Sequence, residues 1–268
     1  MKTCRKLIIV SVISFCLGTT NSSVCGEYYL SLQVDIPLIS AGAVSLAGGH
    51  YFGNKQNALT AGEISSSDRK EVNFFDRPAT CNYSETSDKW SDYTMNVLFA
   101  SPVLLAGFEE PRNDIFIIAV MYLESIALES GLCSIVKSTA DRRRPYVYND
   151  DVPLEKKTDK NSARSFYSGH TSSAFNSAVF LSTVFSDYYP DSDMRIVVWS
   201  ASLLLASATG YLRYSAGMHF PSDIITGAAA GALTGYMVPA LHRKSNSPLS
   251  VIPFITPGTS GVLVGYAF

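Results

Sequence analysis

Apolar residues occur along the chain in long blocks that polar stretches separate. The blocks lie at about 36–52, 93–108, 114–137, 171–188, 195–213 and 222–241. Segments of this length predict helices rather than strands, and no internal repeat or linker separates them. We therefore predict an all-α fold in which six helices form one bundle.

Shorter patterns near the two ends predict strands. Residues 28–34 alternate between apolar and polar side chains, and Asp35 is the expected N-cap of the first helix. Residues 251–256 and 261–268 flank a turn at 257–260, which predicts a β-hairpin over about 250–268. The last strand has the pattern of an outer-membrane barrel strand, but a barrel needs about eight strands. We predict a small C-terminal hairpin that packs on the bundle.

The N-terminus resembles a signal peptide. Lys2, Arg5 and Lys6 precede an apolar run at 7–17, and small or polar residues follow it. We predict that 1–25 is removed and that 26–268 is a single domain with a helical core at about 36–241. An uncleaved anchor is the alternative. Removal of 1–25 leaves two cysteines in the exported chain, Cys81 and Cys133. Two alternatives are open for them, one disulfide or two free thiols.

The composition narrows the class of protein. Charged residues are only 16% of the chain, against about 25% in an average domain. The hydrophobic share is 47%, which excludes a disordered chain. A formal charge of −2 gives no global basic field, so we predict no nucleic-acid partner. Segments 196–212 and 224–240 just reach the length of a membrane span, which favours membrane association over a soluble bundle.

Two of three polar blocks suit the binding of an anion. Lys137 and Arg144 are two helical turns apart, so both cations can project to one side. Ser168, Gly169 and His170 directly precede an apolar helical run. The free N–H groups and the dipole of a helix start attract anions, and a glycine lets the backbone approach the ligand closely.

The third block adds acid–base chemistry. It holds Arg213, His219 and Asp223, and the last two are four residues apart. A carboxylate at that spacing can accept a proton from one imidazole nitrogen, which makes the other nitrogen more nucleophilic. The three blocks together favour phosphoryl transfer through a covalent histidine, with no metal or other cofactor.

The ordered pattern Lys-x6-Arg-Pro, Ser-Gly-His and Arg-x5-His-x3-Asp resembles the signature of the type 2 phosphatidic acid phosphatase superfamily. That superfamily also contains soluble bacterial class A acid phosphatases and vanadium haloperoxidases. The signature covers 137–223, and the resemblance implies a six-helix bundle of the phosphatidic acid phosphatase type. Tyr167 and Leu212 depart from the usual Pro and Ser, which affects loop geometry and one minor contact.

The resemblance also implies a role for each motif residue. Lys137, Arg144 and Arg213 hold the phosphate, and Ser168 and the Gly169 amide hydrogen-bond to it. His219 is the nucleophile, Asp223 orients it, and His170 protonates the leaving group. The spacing selects Arg144 rather than Arg142 or Arg143. His50 and His242 have no motif partner and are expected to be structural or exposed, and Glu124 and Glu129 receive no role.

These features predict an envelope phosphoric monoester hydrolase that acts on a phosphate monoester or pyrophosphate, most naturally of a lipid. The alternatives are a soluble periplasmic acid phosphatase for small esters and a non-enzymatic protein that binds anionic lipid headgroups. No pattern indicates an oligomeric state.

The expected orientation contains a conflict. If residue 26 is outside and six helices span, the motif end lies in the cytoplasm, and the basic loop 138–169 agrees with that. The resemblance implies a site that faces the periplasm. A first helix that does not span, or a soluble bundle, would reconcile the two.

Overall fold

The computed structural model describes residues 26–244, 249–256 and 259–266. The predicted signal segment 1–25 lies outside the described residues. The described chain is mostly helical, which confirms the predicted class. Its helices are α1 (Leu32–Lys55), α2 (Ala61–Ser65), α3 (Glu85–Ala100), α4 (Glu109–Asn113), α5 (Ile115–Thr139), α6 (Leu154–Lys157), α7 (Gly169–Tyr188), α8 (Met194–Ser215) and α9 (Pro221–His242). Short 3-10 turns connect several of them.

Two strands follow the last helix. β1 (Leu249–Thr256) and β2 (Thr259–Tyr266) pair antiparallel, with Leu249 opposite Tyr266 and Thr256 opposite Thr259. The tip at 257–258 lies outside the described residues, as do 267–268.

The predicted strand at 28–34 is wrong. Only Tyr28 makes a β-bridge, to Arg243, and helix α1 already begins at Leu32. The amides of Val34 and Asp35 both donate to the carbonyl of Ser31, so Asp35 lies inside the first turn and is not the N-cap. A strand needs a partner along its length, and the segment that could supply one is itself helical up to His242.

The second long helix starts earlier than predicted. Helix α3 begins at Glu85, where the Ser84 hydroxyl accepts the Ser87 amide at 3.1 Å, and it ends at Ala100 before a 3-10 turn that contains Pro102. The apolar pattern missed the first two turns because they are polar. Pro102 has no backbone N–H and so cannot donate the hydrogen bond that would continue the α-helix, which agrees with the early end.

Helix α7 is the centre of the bundle. Thirteen of its residues are buried, and it packs against α3, α5, α8 and α9, while α1 packs along α5. Phe180 and Val184 of α7 belong to the main core cluster, together with Met121 of α5 and Val238 of α9. The helix is surrounded because small side chains on its neighbours let them approach.

The closest of these approaches is between α7 and α9. Gly227, Gly231 and Gly235 are spaced one turn apart on α9 and face the backbone of α7. A Cβ on these glycines would lie 2.6, 2.0 and 2.3 Å from the carbonyl oxygens of residues 168, 172 and 176 respectively. The two helices therefore meet backbone to backbone, as small-residue stripes allow in membrane bundles.

All three motif blocks lie at one end of the bundle, which we call the site end. Helices α1, α5 and α8 finish there, and α3, α7 and α9 begin there. The opposite end, which we call the far end, holds Tyr28 beside Arg243. Residues 26 and 244 thus lie at the far end.

Four described helices are long and apolar enough to cross a membrane, namely α1, α5, α8 and α9. The shortest has 22 residues, about 33 Å at 1.5 Å per residue, against a hydrocarbon core of about 30 Å. Large apolar side chains such as Leu204, Leu233 and Phe116 are more than 60% exposed on them. These surfaces indicate that the protein associates with a membrane.

We expect Gly231→Ala to lower the free energy of unfolding by about 1–3 kcal/mol, because the new methyl group forces α7 and α9 apart. Thermal unfolding in detergent measures the effect. Gly62→Ala is the matched control, since a Cβ there meets nothing within 4 Å, and it should leave the protein at least as stable. Equal effects of the two variants would contradict the close helix crossing.

Candidate active site

The three predicted phosphate-binding cations are buried or half-buried at the site end. Lys137 lies in the last turn of α5, and Arg213 lies in the last turn of α8. Arg144 follows α5 in an extended segment, where its amide donates to the Ser162 carbonyl and its Nε to the Asn161 carbonyl. Arg144 and Arg213 are 8% and 2% exposed, so both charges are largely removed from water.

A helix starts at the position where the sequence predicts an anion-binding helix start. Ser168 is the N-cap of α7, its hydroxyl lies 2.9 Å from the Thr171 hydroxyl, and Gly169 is the first helical residue. A Cβ on Gly169 would lie 3.6 Å from Lys137 Nζ and 3.2 Å from Cys133 Sγ, so a larger residue would crowd the Cys133 thiol beside the lysine. Cys81 and Cys133 are both free thiols, so the predicted alternative of a disulfide is wrong.

His219 is fully buried between α8 and α9. The turn before it depends on Gly217, which has φ +68° and lies against the Asn82 carbonyl, where a Cβ would clash at 2.0 Å. Neither ring nitrogen of His219 has a hydrogen-bond partner among the described residues. Such orphaned polar atoms are costly unless a ligand or proton transfer uses them.

The expected hydrogen bond between His219 and Asp223 is absent from the described geometry. His219 Nδ1 and Asp223 Oδ2 are 3.7 Å apart, which is too far for a hydrogen bond. The Asp223 carboxylate instead accepts the Ser165 hydroxyl at 2.6 Å and the Phe220 amide at 2.9 Å through Oδ2, and the Arg142 guanidinium through Oδ1. These donors already engage both oxygens.

Arg142 receives no role from the sequence, but it contacts the site carboxylate Asp223. Its guanidinium bridges Asp223 and Asp76, at 2.7 Å to the latter, and stacks 4.4 Å above the centre of the Phe220 ring. Asp76 is 1% exposed, and it also accepts the amide and the hydroxyl of Ser222. Burial raises the pKa of Asp76, but hydrogen bonds from Asn73, Ser222 and Arg142 outweigh it, and its pKa falls below the usual value. Arg142 thus fixes the start of α9 through two buried carboxylates.

Two carboxylates on α3 complete the site, and they too were missed. Asp92 Oδ1 lies 2.7 Å from His170 Nε2, and Asp88 pairs with the Arg213 guanidinium, whose Nη1 also donates to Ser91 Oγ at 3.0 Å. The sequence contains one signal for these residues: Asp88 and Asp92 are four residues apart, which places them on one face of a helix. The predicted helix began at 93, so that signal fell outside it.

Five of the predicted site residues line two cavities. One of about 750 Å³ has Arg144, His170 and Arg213 in its wall, together with acidic residues of α3 and α6. A smaller one of about 240 Å³ has Lys137, Gly169, Glu129 and Cys133 in its wall. The cations therefore stand between two openings, and the larger one has room for a substrate.

Both histidines are neutral at pH 7. Burial lowers the pKa of His219 well below its usual value, and the nearby charges of Lys137, Arg144 and Arg213 lower it further. Burial and the Arg213 charge lower the pKa of His170 to about 4, although Asp92 opposes the shift. A neutral imidazole is the nucleophilic form, so this state of His219 is compatible with its predicted role as nucleophile. A bound dianion would raise the pKa of His170 toward the range of a proton donor.

One end of the helical bundle thus brings together three cations, a helix start and an imidazole without a hydrogen-bond partner among the described residues. These are the groups that a protein needs to hold a phosphate-sized anion beside a nucleophile. Comparison with known families agrees. Residues 118–247 match the family model described as PAP2 superfamily, and the motif residues 137–223 all lie within the match. This match to the PAP2 superfamily model confirms the resemblance that the motif residues indicate.

Two curated relatives are phosphatases. A lipid A 4'-phosphatase of Porphyromonas gingivalis is 26% identical over 164 residues, which are 60% of this chain and 65% of the relative. A probable diacylglycerol pyrophosphate phosphatase 1 of Schizosaccharomyces pombe is 29% identical over 178 residues, 57% of this chain and 63% of the relative. The chain spans less than two thirds of the length of either relative.

Two solved structures are also similar. A transmembrane PAP2-type phosphatidylglycerolphosphate phosphatase from Bacillus subtilis has a TM-score of 0.46 and 19% identity, with 78% of this chain and 95% of that chain covered. Aquifex aeolicus LpxE has a TM-score of 0.42 and 26% identity, with 60% and 90% covered.

We expect Arg142→Ala to lower kcat for p-nitrophenyl phosphate by about 10–100-fold with little change in KM, because Arg142 holds the Asp223 carboxylate and lies outside the larger cavity. Arg143→Ala is the matched control, since Arg143 donates to Ser67 and contacts no site carboxylate among the described residues. A loss of the same size in both variants, or a rise in KM alone, would show that Arg142 does not position Asp223.

Proposed function

We propose that this protein is an envelope phosphatase that hydrolyses a phosphate monoester or pyrophosphate of a lipid through a phosphohistidine at His219, without a metal. One observation carries the proposal. Both ring nitrogens of His219 and the Nε of Arg213 are buried without a hydrogen-bond partner among the described residues, at the point where the three cations converge. These atoms are a free nucleophile and a free donor.

The cations and the helix start would hold the phosphate. Arg213 keeps one nitrogen on Asp88 and offers its free Nε to the ligand, and Arg144 and Lys137 supply the other positive charges. The Ser168 hydroxyl and the Gly169 amide add neutral donors at the start of α7. Fixed donors in a water-poor site stabilise the charge on the equatorial oxygens in the transition state.

In the first step, one His219 nitrogen attacks phosphorus, and the bond from phosphorus to the leaving oxygen breaks. His170 gives its proton to that oxygen, and Asp92 favours the protonated form of His170. The Asp223 carboxylate stabilises the positive imidazole once the gap of 3.7 Å to Nδ1 closes by about 1 Å, as catalytic contacts often do on substrate binding.

In the second step, His170 takes a proton from water, and the hydroxide formed attacks the phosphohistidine. The bond between phosphorus and His219 breaks, inorganic phosphate leaves, and both histidines return to their starting forms. No electron transfer or outside reactant other than water is needed.

A lipid substrate fits the surface beside the site. A groove of about 270 Å³ between α8 and α9 is almost wholly apolar, and its lining residues Tyr211, Tyr214 and Ile224 flank Arg213 and Asp223. The exposed apolar faces of the four candidate spans would place this groove in the acyl region. The names of both relatives describe phosphorylated lipids, which supports the same substrate class.

We propose that 26–268 acts as one phosphatase domain whose site end faces the periplasm. Because residue 26 lies at the far end, a bundle that spans with this orientation places residue 26 in the cytoplasm. A cleaved signal at 1–25 and a periplasmic site are therefore compatible only in a bundle that does not cross the membrane. The cations of the site end serve phosphate binding, so their number does not argue for a cytoplasmic site.

The nucleophile can be tested by trapping. With a labelled phosphate ester, the wild type should form an acid-labile, base-stable phosphohistidine, and His219→Ala should lose both the intermediate and the activity. Vanadate should inhibit the wild type, and EDTA should leave the activity of the folded protein unchanged. Label retained on His219→Ala would contradict the assigned nucleophile.

The proton donor can be tested by the leaving group. His170→Ala should damage hydrolysis of an alkyl phosphate more than that of p-nitrophenyl phosphate by at least about tenfold, because nitrophenolate leaves without protonation. Asp92→Asn should lower the pKa of His170, so the falling limb of the pH profile for the alkyl substrate should move to lower pH. Equal damage to both substrates would assign His170 another role.

Orientation can be tested with thiols at the two ends. Cys81 is exposed at the site end, and Asp191→Cys places a thiol in the exposed far-end turn between α7 and α8. With Cys4, Cys16 and Cys25 replaced by Ser, an impermeant maleimide should label Cys81 in intact spheroplasts. In a Cys81→Ser background it should label Asp191→Cys only after lysis. The reverse pattern would place the site in the cytoplasm, and labelling of both before lysis would show that the bundle does not span.

A further inference from the structure

A second cluster of ionisable residues lies at the far end of the bundle, and the proposed reaction does not use it. It consists of Asp35 in the first turn of α1, Glu124 within α5 and His242 at the end of α9. Glu124 and His242 are 2% and 0% exposed, and the Asp35 side chain is 13% exposed. Burying three ionisable groups inside candidate spans costs free energy unless the groups pair with one another or bind a ligand.

The hydrogen bonds of His242 define what its other nitrogen offers. His242 Nδ1 lies 2.8 Å from the Val238 carbonyl, which can only accept, so Nδ1 carries the proton. Nε2 of the neutral ring then presents a lone pair, and it lies 2.9 Å from Asp35 Oδ1 and 3.3 Å from Glu124 Oε2. Neither Glu124 oxygen has a hydrogen-bond donor among the described residues. With the ring neutral, three acceptors therefore converge, and no group among the described residues donates to all three.

The spacing of the three atoms suits a metal ion. The ligand atoms all lie within 4.8 Å of one another. Zinc holds imidazole nitrogen and carboxylate oxygen at about 2.0–2.2 Å in a tetrahedron, which separates neighbouring ligands by about 3.3 Å. A ligating histidine usually donates its other N–H to a carbonyl or carboxylate, as His242 does to Val238. The imidazole ligand disfavours magnesium and calcium, which take oxygen ligands.

We propose that Asp35, Glu124 and His242 form a site for a divalent transition-metal ion of the zinc type. The ion would tie together the start of α1, the middle of α5 and the end of α9. Glu124 is 13 residues before Lys137 on the same helix, about 20 Å away, and His242 is about 30 Å along α9 from its site end. The ion stabilises the bundle and takes no part in the phosphoryl chemistry. The exposed part of Asp35 provides the entry path.

The test uses the full chain in detergent, purified with a tag that contains no histidine and equilibrated with zinc. We expect one zinc ion per chain by elemental analysis after gel filtration, and a rise of several degrees in Tm. Glu124→Gln and His242→Gln should each lose the bound zinc and the Tm rise. His50→Gln is the matched control, because His50 is exposed on α1 beside Asn54, and it should keep both.

Two outcomes would overturn the inference. If the wild type binds no zinc and shows no Tm rise, the cluster holds only a proton, as an imidazolium between two carboxylates. If all four proteins bind zinc equally, the binding is adventitious. If a variant fails to fold, the rise in Tm of the wild type with zinc still tests the proposed metal site. Hydrolysis of p-nitrophenyl phosphate in the same samples reports the proposed function separately, so an active protein without zinc would refute the metal site alone.

Discussion

The backbone contact between α7 and α9 is the constraint on which the site depends. Gly227 lies against the Ser168 carbonyl, and the Ser168 amide donates to the Asp223 carbonyl at 3.1 Å. The starts of the two helices are thereby fixed side by side. One start supplies the amides that we propose bind the phosphate, and the other carries the Asp223 carboxylate next to His219. A helix pair separated by larger side chains would hold these groups several ångströms apart.

Bringing Arg142 and Arg213 to the same end of the bundle as Lys137 and Arg144 is unfavourable. The structure offsets part of this repulsion with carboxylates that the catalytic pattern does not contain. Asp88 pairs with Arg213, and Asp76 shares Arg142 with Asp223. Each acid anchors one side of a guanidinium and leaves other donors free, as the unpartnered Arg213 Nε shows. Removing one member of such a buried pair leaves an uncompensated charge, so the acids fix the cations as well as neutralise them. Asp92 does the same for His170, whose ring it orients and whose proton it favours.

The sequence predicted the helical class, the ends of the long helices other than α3 to within about four residues, and the motif residues that meet at the site end. It failed where the deciding interaction is long-range. Asp76 is 66 residues from Arg142, and nothing local in either segment indicates the contact. Asp88 and Asp92 lie in polar turns of α3 that hydropathy cannot distinguish from a loop. Residues 28–34 have a strand pattern, but no strand among the described residues is available to pair with them. The tertiary structure therefore overrides the local pattern, and helix α1 begins within this segment.

Helix α9 links the two ends of the molecule, because His219 and Asp223 stand at its start and His242 at its end. A helix whose first turn must hold a carboxylate in register cannot slide or rotate at its last turn without moving that carboxylate. At the start, Arg142 and the Ser165 hydroxyl fix Asp223. At the end, His242 meets Asp35 and Glu124 on two other helices. Contacts at both ends therefore fix the position of α9: those of Asp223 at the site end and those of His242 at the far end. With both ends fixed, the small-residue contact between α9 and α7 keeps a single register.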